Sequence, residues 1–499
     1  MYMQTLQLGY PELVDPGSVP HLNLITKWIN SCDQHGCYPK EATFFPTRVI
    51  DVRYSAKTIR LMNSADISVE GSKYVALSHR WGPPTEHLAF CTRKGDLNER
   101  DERIIEISTL PKTFQDAVHI ARGLGVSHLW IDSIRIIQDD RDDWNRESQL
   151  MEKVFSSSYC TIAANCARGF DDGFLKPRLK RQYVTMRGPS TDASFYYVCE
   201  PIDNFHEHVD QSELNTRGWV LQERALSRRT VYFTETQTYW ECGKGVRCET
   251  LTKTQNQKAS FLGDSIFPYS AEDYVKGKKI KLIQTLYERY STLGLTVSTD
   301  RPFAIKGLEA RLVHIFGGTG RYGVFQIYLH RCLLWRRSKA AMKPIEPLPG
   351  ETIPSWSWMA YEGGIQYIDA PGSDVDWKPD VIWPPSDSSN ETDASSVDSQ
   401  SSQCTRMSQE LQAPVWGLVD PRKNDMILDD GRSANPQAAK CVIIGVSKRP
   451  AEANEKLYYL LIVTPVLAGK EGVWKRRGVG IMERRYIALD EPSSPGRIL

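Results

Sequence analysis

The stretch "HLWIDSIRIIQDDRDDW", residues 128–144, decides the fold, because it predicts a buried strand that runs into a polar turn and then a helix. The apolar run Leu129–Ile131 ends abruptly at Asp132, and Arg135 follows inside a second apolar run. An acid and a base at the end of a buried strand either brace the turn or face a ligand. The residues of this stretch leave both interpretations open.

The segments around this stretch alternate between strand and helix patterns. Short apolar runs at 74–78 ("YVALS") and 159–164 ("YCTIAA") predict two more strands. The segments at 113–125 ("TFQDAVHIARGLG") and 142–155 ("DDWNRESQLMEKVF") carry apolar residues at helical spacing. Strands that alternate with helices predict an α/β domain with a parallel sheet and crossover helices.

Composition divides the chain into four predicted parts. Residues 1–50 are an N-terminal extension, and residues 51–250 form the α/β domain. Residues 251–345 are a mostly helical segment, and residues 346–499 form a β-rich C-terminal unit of short strands. Within that unit, the Ser- and Asp-rich stretch 384–403 contains a single apolar valine, so we expect a disordered loop there.

The bulk numbers argue against several function classes. The chain of 499 residues has a formal net charge of +1, so we expect neither nucleic acid nor a membrane as a partner. Its N-terminus lacks the basic start and apolar core of a signal peptide, and no stretch approaches the ~18 apolar residues that span a bilayer. The 11 cysteines fit reduced thiols better than a disulfide framework, which predicts a cytoplasmic protein.

Side chains with useful chemistry follow two of the predicted strands. They are Ser78, His79, Arg80 and Trp81 at the end of the first strand, and Asp132, Ser133 and Arg135 at the end of the second. Ligands of a parallel sheet bind outside the carboxyl ends of its strands. If the two strands are neighbours, we therefore expect these residues to form one site.

Residue chemistry assigns a role to each member of this group. Arg80 and Arg135 would bind a carboxylate or phosphate, because the planar guanidinium binds such groups bidentately. His79 and Asp132 form a candidate acid/base pair, since histidine titrates near neutrality and a carboxylate can orient it. Glu147 is the third candidate catalytic residue, because an acid on the inward face of its helix is costly unless it is paired or used.

A structural interpretation stands beside these assignments. Asp132 can cap the following turn, and Arg135 can pair with Asp132 or Asp139. Glu147 can instead form a salt bridge to an arginine. Buried acids occur in ion pairs that only stabilise the fold as well as in functional sites.

We expect the remaining candidate site residues to contact the substrate. They are Ser78, Trp81, Ser133 and Glu223. Glu223 lies in "NTRGWVLQERALSRR", 215–229, a predicted helix whose buried polar residues favour bracing over a site role.

Two groups of cysteines raise the question of a metal. Cys32, His35 and Cys37 form a loose trio, and Cys242 and Cys248 form a separate pair. Neither spacing matches a closed zinc site, so we expect no metal, and nothing in the sequence indicates an organic cofactor.

Several stretches in order resemble the fungal heterokaryon-incompatibility (HET) domain. They are "YVALSHRWG", "LPKTFQDAVHIARGLGVSHLWIDSIRIIQDDRDDW", "YCTIAANCARGFDDGF" and "RGWVLQERALS". The resemblance is dense between about 74 and 240 and looser to about 360. It implies a sheet distantly similar to that of TIR domains, and a role in nonself recognition and cell death after cell fusion. Since some TIR domains cleave NAD with a glutamate, it also implies Glu147 as the corresponding residue.

Two departures from the family pattern indicate a changed ligand. The family usually has cysteines where this chain has Arg80 and Arg135. Our first hypothesis is therefore a HET-fold protein repurposed as a cofactor-independent enzyme. It would use acid/base catalysis (cyclisation, elimination or hydrolysis) on a small anionic metabolite in fungal specialised metabolism.

Two alternatives remain open, so the chain is not assigned firmly as an enzyme. One is an incompatibility or cell-death effector that cleaves NAD. The other is a non-catalytic binding scaffold, and the sequence also leaves open a protein partner or a homo-oligomer.

Overall fold

The computed structural model describes most of the chain in two compact units. The described residues are 12–37, 44–67, 71–82, 90–97, 103–178, 180–187, 195–251, 253–254, 276–348, 352–370, 373–383, 409–419, 425–431, 439–449, 452, 455–466 and 471–499. Unit 1 comprises Met1–Glu272 and Phe303–Leu308, and unit 2 comprises Asp273–Pro302 and Glu309–Leu499. The predicted disordered loop at 384–403 lies outside the described residues.

Unit 1 alternates strands and helices as the sequence predicts. Its strands are β1 Arg48–Asp51, β2 Thr58–Asn63, β3 Tyr74–Ser78, β4 Arg103–Glu106, β5 His128–Trp130, β6 Cys160–Ala163, β7 Tyr183–Arg187, β8 Phe195–Cys199, β9 Arg229–Phe233, β10 Thr238–Cys242, β11 Gly245–Cys248 and β12 Lys253–Thr254. Its helices are α1 Val19–Gln34, α2 Lys112–Gly123, the single turn α3 Asp132–Arg135, α4 Arg141–Ser157 and α5 Gly218–Leu226.

The large sheet of unit 1 is parallel at its centre and antiparallel at both sides. Its strand order is β12-β11-β10-β9-β6-β3-β5-β1-β2-β4. β3 runs parallel to β5 and β6, and β6 runs parallel to β9. The sequence analysis predicted only the parallel part. Short connections explain some of the antiparallel pairs, because a link as short as that from β9 to β10 can join only antiparallel neighbours.

The pairing on which the predicted site depends is confirmed. Tyr74 lies opposite His128, Val75 opposite Leu129, and Ala76 opposite Trp130. Every residue of β3 and β6 is buried, as expected for central strands covered on both faces. The carboxyl ends of β3 and β5 are therefore neighbours.

The two predicted crossover helices are confirmed within a few residues. α2 buries its apolar stripe, which includes Phe114, Ala117 and Ala121. α4 begins after Asp140, whose side chain accepts hydrogen bonds from the first backbone amides of the helix. The division of the chain into four parts stays a prediction. Strand β1 crosses the predicted boundary between residues 50 and 51.

Unit 2 joins helices to an antiparallel sheet. Its helices are α6 Lys276–Ser291, α7 Lys306–Phe316, whose first residues belong to unit 1, and α8 Leu329–Leu333. Its strands are β13 Gly320–Arg321, β14 Val324–Phe325, β15 Trp335–Arg337, β16 Lys343–Pro344, β17 Tyr361–Glu362, β18 Ile365–Tyr367, β19 Val375–Trp377, β20 Leu411–Gly417, β21 Asp425–Leu428, β22 Lys440–Ser447, β23 Leu457–Pro465, β24 Val473–Glu483 and β25 Ser494–Ile498. β19 to β25 form one seven-stranded sheet, in which β24 and β25 are the parallel pair. The C-terminal part is thus β-rich, as predicted.

Within the described residues, no helix combines the length and the apolar character that crossing a bilayer requires.

Candidate functional site

Asp132 is the centre of a polar group at the carboxyl ends of β3 and β5. The indole Nε1 of Trp81 donates a hydrogen bond of 2.8 Å to Asp132 Oδ2, and the backbone amide of Ser133 donates one of 2.7 Å to Oδ1. His79 Nδ1 lies 3.8 Å from the same Oδ1. The structure therefore brings together four of the residues predicted from the sequence. We call this group, together with Ser78 and Glu223, the strand-end site.

The His79 side chain packs between aromatic rings on its way to Asp132. Its ring meets the edge of Phe114 at 5.1 Å and lies tilted on Phe170 at 5.6 Å between centroids. Arg217 fixes the backbone at this point by donating a hydrogen bond of 2.6 Å to the carbonyl of His79. The imidazole is thus fully buried and oriented by packing, with one nitrogen directed at the carboxylate.

Glu223 adds a second carboxyl group to the strand-end site. It lies on α5, is 6% exposed, and accepts a hydrogen bond of 2.5 Å from the hydroxyl of Ser78. Burial raises the pKa of Glu223 to about 7; the Ser78 hydrogen bond opposes this rise and the Asp132 charge adds to it. Near neutral pH Glu223 therefore keeps a proton over much of the range in which an ordinary glutamate is ionised.

Arg80 lies beside this group and is part of a cluster of guanidiniums. Its Nη1 forms an ion pair with Glu213, and its side chain is 31% exposed. Burial and the charges of Arg217 and Arg168 lower the pKa of Arg80. Three arginines thus lie close enough to interact at the edge of the strand-end site, where Glu213 neutralises one of them.

Arg135 lies in a different charged group, which corrects the expectation that Arg80 and Arg135 meet. It is 1% exposed, and the pKa of its guanidinium is lowered by burial and by Arg48, while Glu147 and Asp143 oppose that shift. Arg48 donates hydrogen bonds to the Arg135 carbonyl at 3.0 Å and to Asp143 Oδ2 at 2.5 Å. We call Arg48, Arg135, Asp143 and Glu147 the brace cluster.

Glu147 belongs to the brace cluster and has its own partners there. Thr47 Oγ1 donates a hydrogen bond of 2.9 Å to its Oε1, and Arg146 Nε lies 3.5 Å from the same oxygen. Glu147 is 3% exposed. The inward position predicted from helical spacing is confirmed, and the contacts of Glu147 are those of the salt-bridge interpretation.

A ligand-sized cleft, which the sequence analysis missed, lies outside the carboxyl ends of β6 and β9. It encloses about 400 Å³ and is lined by Asn165, Cys166, Ala167, Arg168, Glu207, His208, Gln211, Ser212, Glu213, Thr234, Glu235 and Thr236. These residues come from loops and short helical turns whose position relative to the sheet is not encoded in any periodicity. Only the rule that ligands bind at the carboxyl ends of parallel strands points to them.

The cleft and the strand-end site are joined by the segment that follows β6. Phe170 packs on His79 and Trp81, and a Cβ atom at Gly169 would lie only 3.1 Å from the Gly82 Cα atom. Glycine is therefore needed at 169 for this close approach. Arg168, one residue earlier, lines the cleft, so the two features share one wall.

One cluster of the described residues could hold a metal ion. The side chains of Cys32, His35, Cys37 and Cys242 bring their ligand atoms within 4.8 Å of one another. Cys248 lies elsewhere, with its sulfur 3.4 Å from a carboxylate oxygen of Asp203. Cys242 is far from the trio in the sequence, and the fold brings the four side chains together.

These features define a mixed α/β protein with an acidic group at the carboxyl ends of parallel strands. Residues 74–223 match the family described as "Heterokaryon incompatibility protein (HET)", so this part of the chain is a HET domain, as the resemblance implied. The matched segment begins at β3 and ends at Glu223, and therefore contains the whole strand-end site. No curated protein and no solved structure matches the chain.

Proposed function

We propose that the HET domain is an enzyme that performs acid/base chemistry on a small anionic molecule without an organic cofactor. The observation that carries this proposal is the carboxyl pair of Asp132 and Glu223. A buried glutamate with a pKa of about 7, set beside an aspartate, is the arrangement that gives two carboxyl groups different roles at one pH.

In the proposed chemistry, Glu223 is the general acid and Asp132 the general base. Asp132 accepts a proton from the substrate or from water, and Glu223 delivers one to the leaving or reacting atom. Ser78 holds the Glu223 carboxyl in place through its hydrogen bond, and Trp81 does the same for Asp132. His79, which faces Asp132, would carry the proton away between turnovers.

The anionic character of the proposed substrate rests on the arginines around Arg80. Arg168 and Arg217 each act electrostatically on Arg80, and a bound anion would relieve this repulsion further than the Glu213 carboxylate that already pairs with Arg80. The cleft of about 400 Å³ beside them lies within the usual range for small-molecule sites. Arg168 and Arg217 thus take the place that the sequence analysis gave to Arg135.

We propose a TIR-like arrangement for the parallel centre of the sheet, a setting in fungal specialised metabolism, and a cytoplasmic location. The described cysteines are in the reduced form, which supports a reducing compartment.

The family match favours a second candidate function. The matched family is named for heterokaryon incompatibility, which supports a cell-death effector. NAD cleavage by such an effector rests only on the distant similarity to TIR domains that the resemblance implies. Under this alternative the strand-end site would still bind a phosphorylated ligand, so the two functions differ in the product formed and in the effect on a host cell. A non-catalytic scaffold is the third candidate and predicts binding without any product.

The experiment incubates the purified full chain with NAD, nucleoside diphosphates and di- and tricarboxylates, and follows products by mass spectrometry. We expect one compound to be converted, with the rate reduced at least ~100-fold in both Asp132→Asn and Glu223→Gln. Asp142→Asn, an exposed acid in the first turn of α4, is the matched control and should keep the full rate.

The melting temperature of each variant separates a chemical effect from unfolding. Unchanged turnover in both site variants would exclude the carboxyl pair as the catalytic group. Nicotinamide release from NAD together with toxicity in a fungal host would select the effector function. Tight binding with no product from any compound would select the scaffold.

A further inference from the structure

The C-terminal end of α1 gathers three side chains that carry soft ligand atoms. Cys32 lies in the last turn, and the backbone amide of His35 caps the helix by donating to the Cys32 carbonyl. Gly36 then adopts a φ of +74°, the left-handed conformation that glycine tolerates, and this turns the chain back toward the helix. Cys37 consequently lies back at the end of the helix, and the Cys37 sulfur is 3.1 Å from His35 Nδ1.

Cys242 completes the set from a distant part of the chain. It is the last residue of β10, where it pairs with Arg229 of β9 and Gly245 of β11. Its sulfur lies 3.9 Å from His35 Nε2. The three cysteines are nearly fully buried, and His35 is half-buried.

The spacing of the four ligand atoms is close to that around one bound zinc ion. Zinc bonds of about 2.3 Å to sulfur and 2.0–2.1 Å to nitrogen place the ligand atoms roughly 3.5–3.8 Å apart. The atoms of this cluster all lie within 4.8 Å of one another, so closure around an ion needs shifts of about an ångström or less. A disulfide within the cluster would remove two of these ligands, but the described cysteines are in the reduced form.

We propose that Cys32, His35, Cys37 and Cys242 bind a structural zinc ion. Four protein ligands close the coordination sphere, which is typical of structural rather than catalytic zinc. On binding, three thiols release three protons and become thiolates, and His35 binds as the neutral imidazole, so the site carries a net charge of −1.

The surroundings of the cluster suit that negative charge. Arg229 interacts electrostatically with Cys32, and its Nη1 donates a hydrogen bond of 2.5 Å to Asp33. Arg247 Nη1 donates one of 3.2 Å to the hydroxyl of Ser31. Two arginines from β9 and β11 therefore already hold the end of α1, and the ion would lock α1 to β10 between them.

The test measures metal in the full chain expressed with added zinc and purified without chelator or oxygen. We expect about one zinc per chain in the wild type and below about a tenth of that in Cys242→Ser. Cys248→Ser is the matched control, because Cys248 is also buried and lies on the adjacent strand but outside the cluster. Replacing zinc by cobalt should give the intense thiolate-to-cobalt absorption of a tetrahedral site.

Two further measurements cover the case in which Cys242→Ser does not fold. Cys242→His replaces one zinc ligand by another and should retain the metal, and chelation of the wild type should lower its melting temperature. Wild type that holds no zinc, or Cys242→Ser that keeps it all, would overturn the proposal. A mass two daltons low that returns on reduction would do the same, because it would show a disulfide within the cluster.

Discussion

Two buried glutamates of the HET domain differ in their neighbours, although both lie on helices that pack against the same sheet. Glu147 sits in the brace cluster, where Arg146 lies beside it and the buried Arg135 acts on it electrostatically. Glu223 sits near Asp132, a like charge that acts on it more strongly than the opposing charge of Arg217, and has a serine hydroxyl as its hydrogen-bond partner. Burial alone therefore does not identify a functional acid. The balance of the charges next to it separates a brace from a candidate catalytic group.

The largest effect that this comparison predicts is the loss of stability when the brace cluster loses an acid. Asp143→Asn removes the carboxylate that pairs with the buried Arg48 and leaves Glu147 as the remaining acid of the cluster. We expect a loss of about 3–5 kcal/mol in the free energy of unfolding, measured by urea denaturation. The neighbouring Asp142→Asn should change it by less than about 0.5 kcal/mol. Equal effects of the two variants would mean that the cluster is not a brace.

The second prediction compares the two glutamates directly in catalysis. Once a converted compound is known, Glu223→Gln should lower its turnover at least ~100-fold with little change in melting temperature at pH 6. Glu147→Gln should lower the melting temperature and leave the turnover of the folded fraction within a few fold. The reverse pattern would move the proposed catalytic role to Glu147 and restore the analogy with NAD-cleaving domains.

The third prediction is the pH dependence of stability that Glu223 imposes. Its pKa of about 7 in the folded protein exceeds the ordinary value of 4.5, so the folded state binds the extra proton between these values. The contribution of Glu223 to stability is therefore complete below about pH 4.5 and is lost as the pH rises through 7. The loss amounts to about 3 kcal/mol. Glu223→Gln cannot ionise and should not show it.

Urea denaturation of the wild type and Glu223→Gln at pH 5 and pH 8 measures this difference. The two proteins should be close in stability at pH 5, and the variant should be the more stable at pH 8. Parallel curves at both pH values would mean that Glu223 is ionised throughout, which would remove the main support for its role as an acid.

The smallest predicted effect concerns Arg80. Its pair with Glu213 is partly exposed, so Arg80→Gln should change the free energy of unfolding by less than about 1 kcal/mol. The same change should weaken binding of pyrophosphate or citrate to the chain by about tenfold, because a charged hydrogen bond to the anion is lost. Calorimetric titration measures it, and unchanged affinity would separate Arg80 from the anion site.

The sequence predicted the centre of the fold because its signals are local. Apolar runs and helical spacing identified β3, β5 and β6 together with α2 and α4, and the rule for strand ends then grouped His79, Trp81 and Asp132. The antiparallel sides of the sheet were not predicted, since strand pairing depends on contacts between distant segments. The family resemblance was confirmed by the match over residues 74–223.

The sequence by itself determined which residues leave the strand ends, because chain order and strand polarity fix that. Only the tertiary structure decided where their side chains go. A single helical turn after β5 separates Asp132, at the strand-end site, from Arg135, in the brace cluster. The tertiary structure also brought Glu223 to Ser78 and Cys242 to the end of α1. The physical reason is that charge pairing and ligand geometry depend on distances across the fold, which no spacing along the chain encodes.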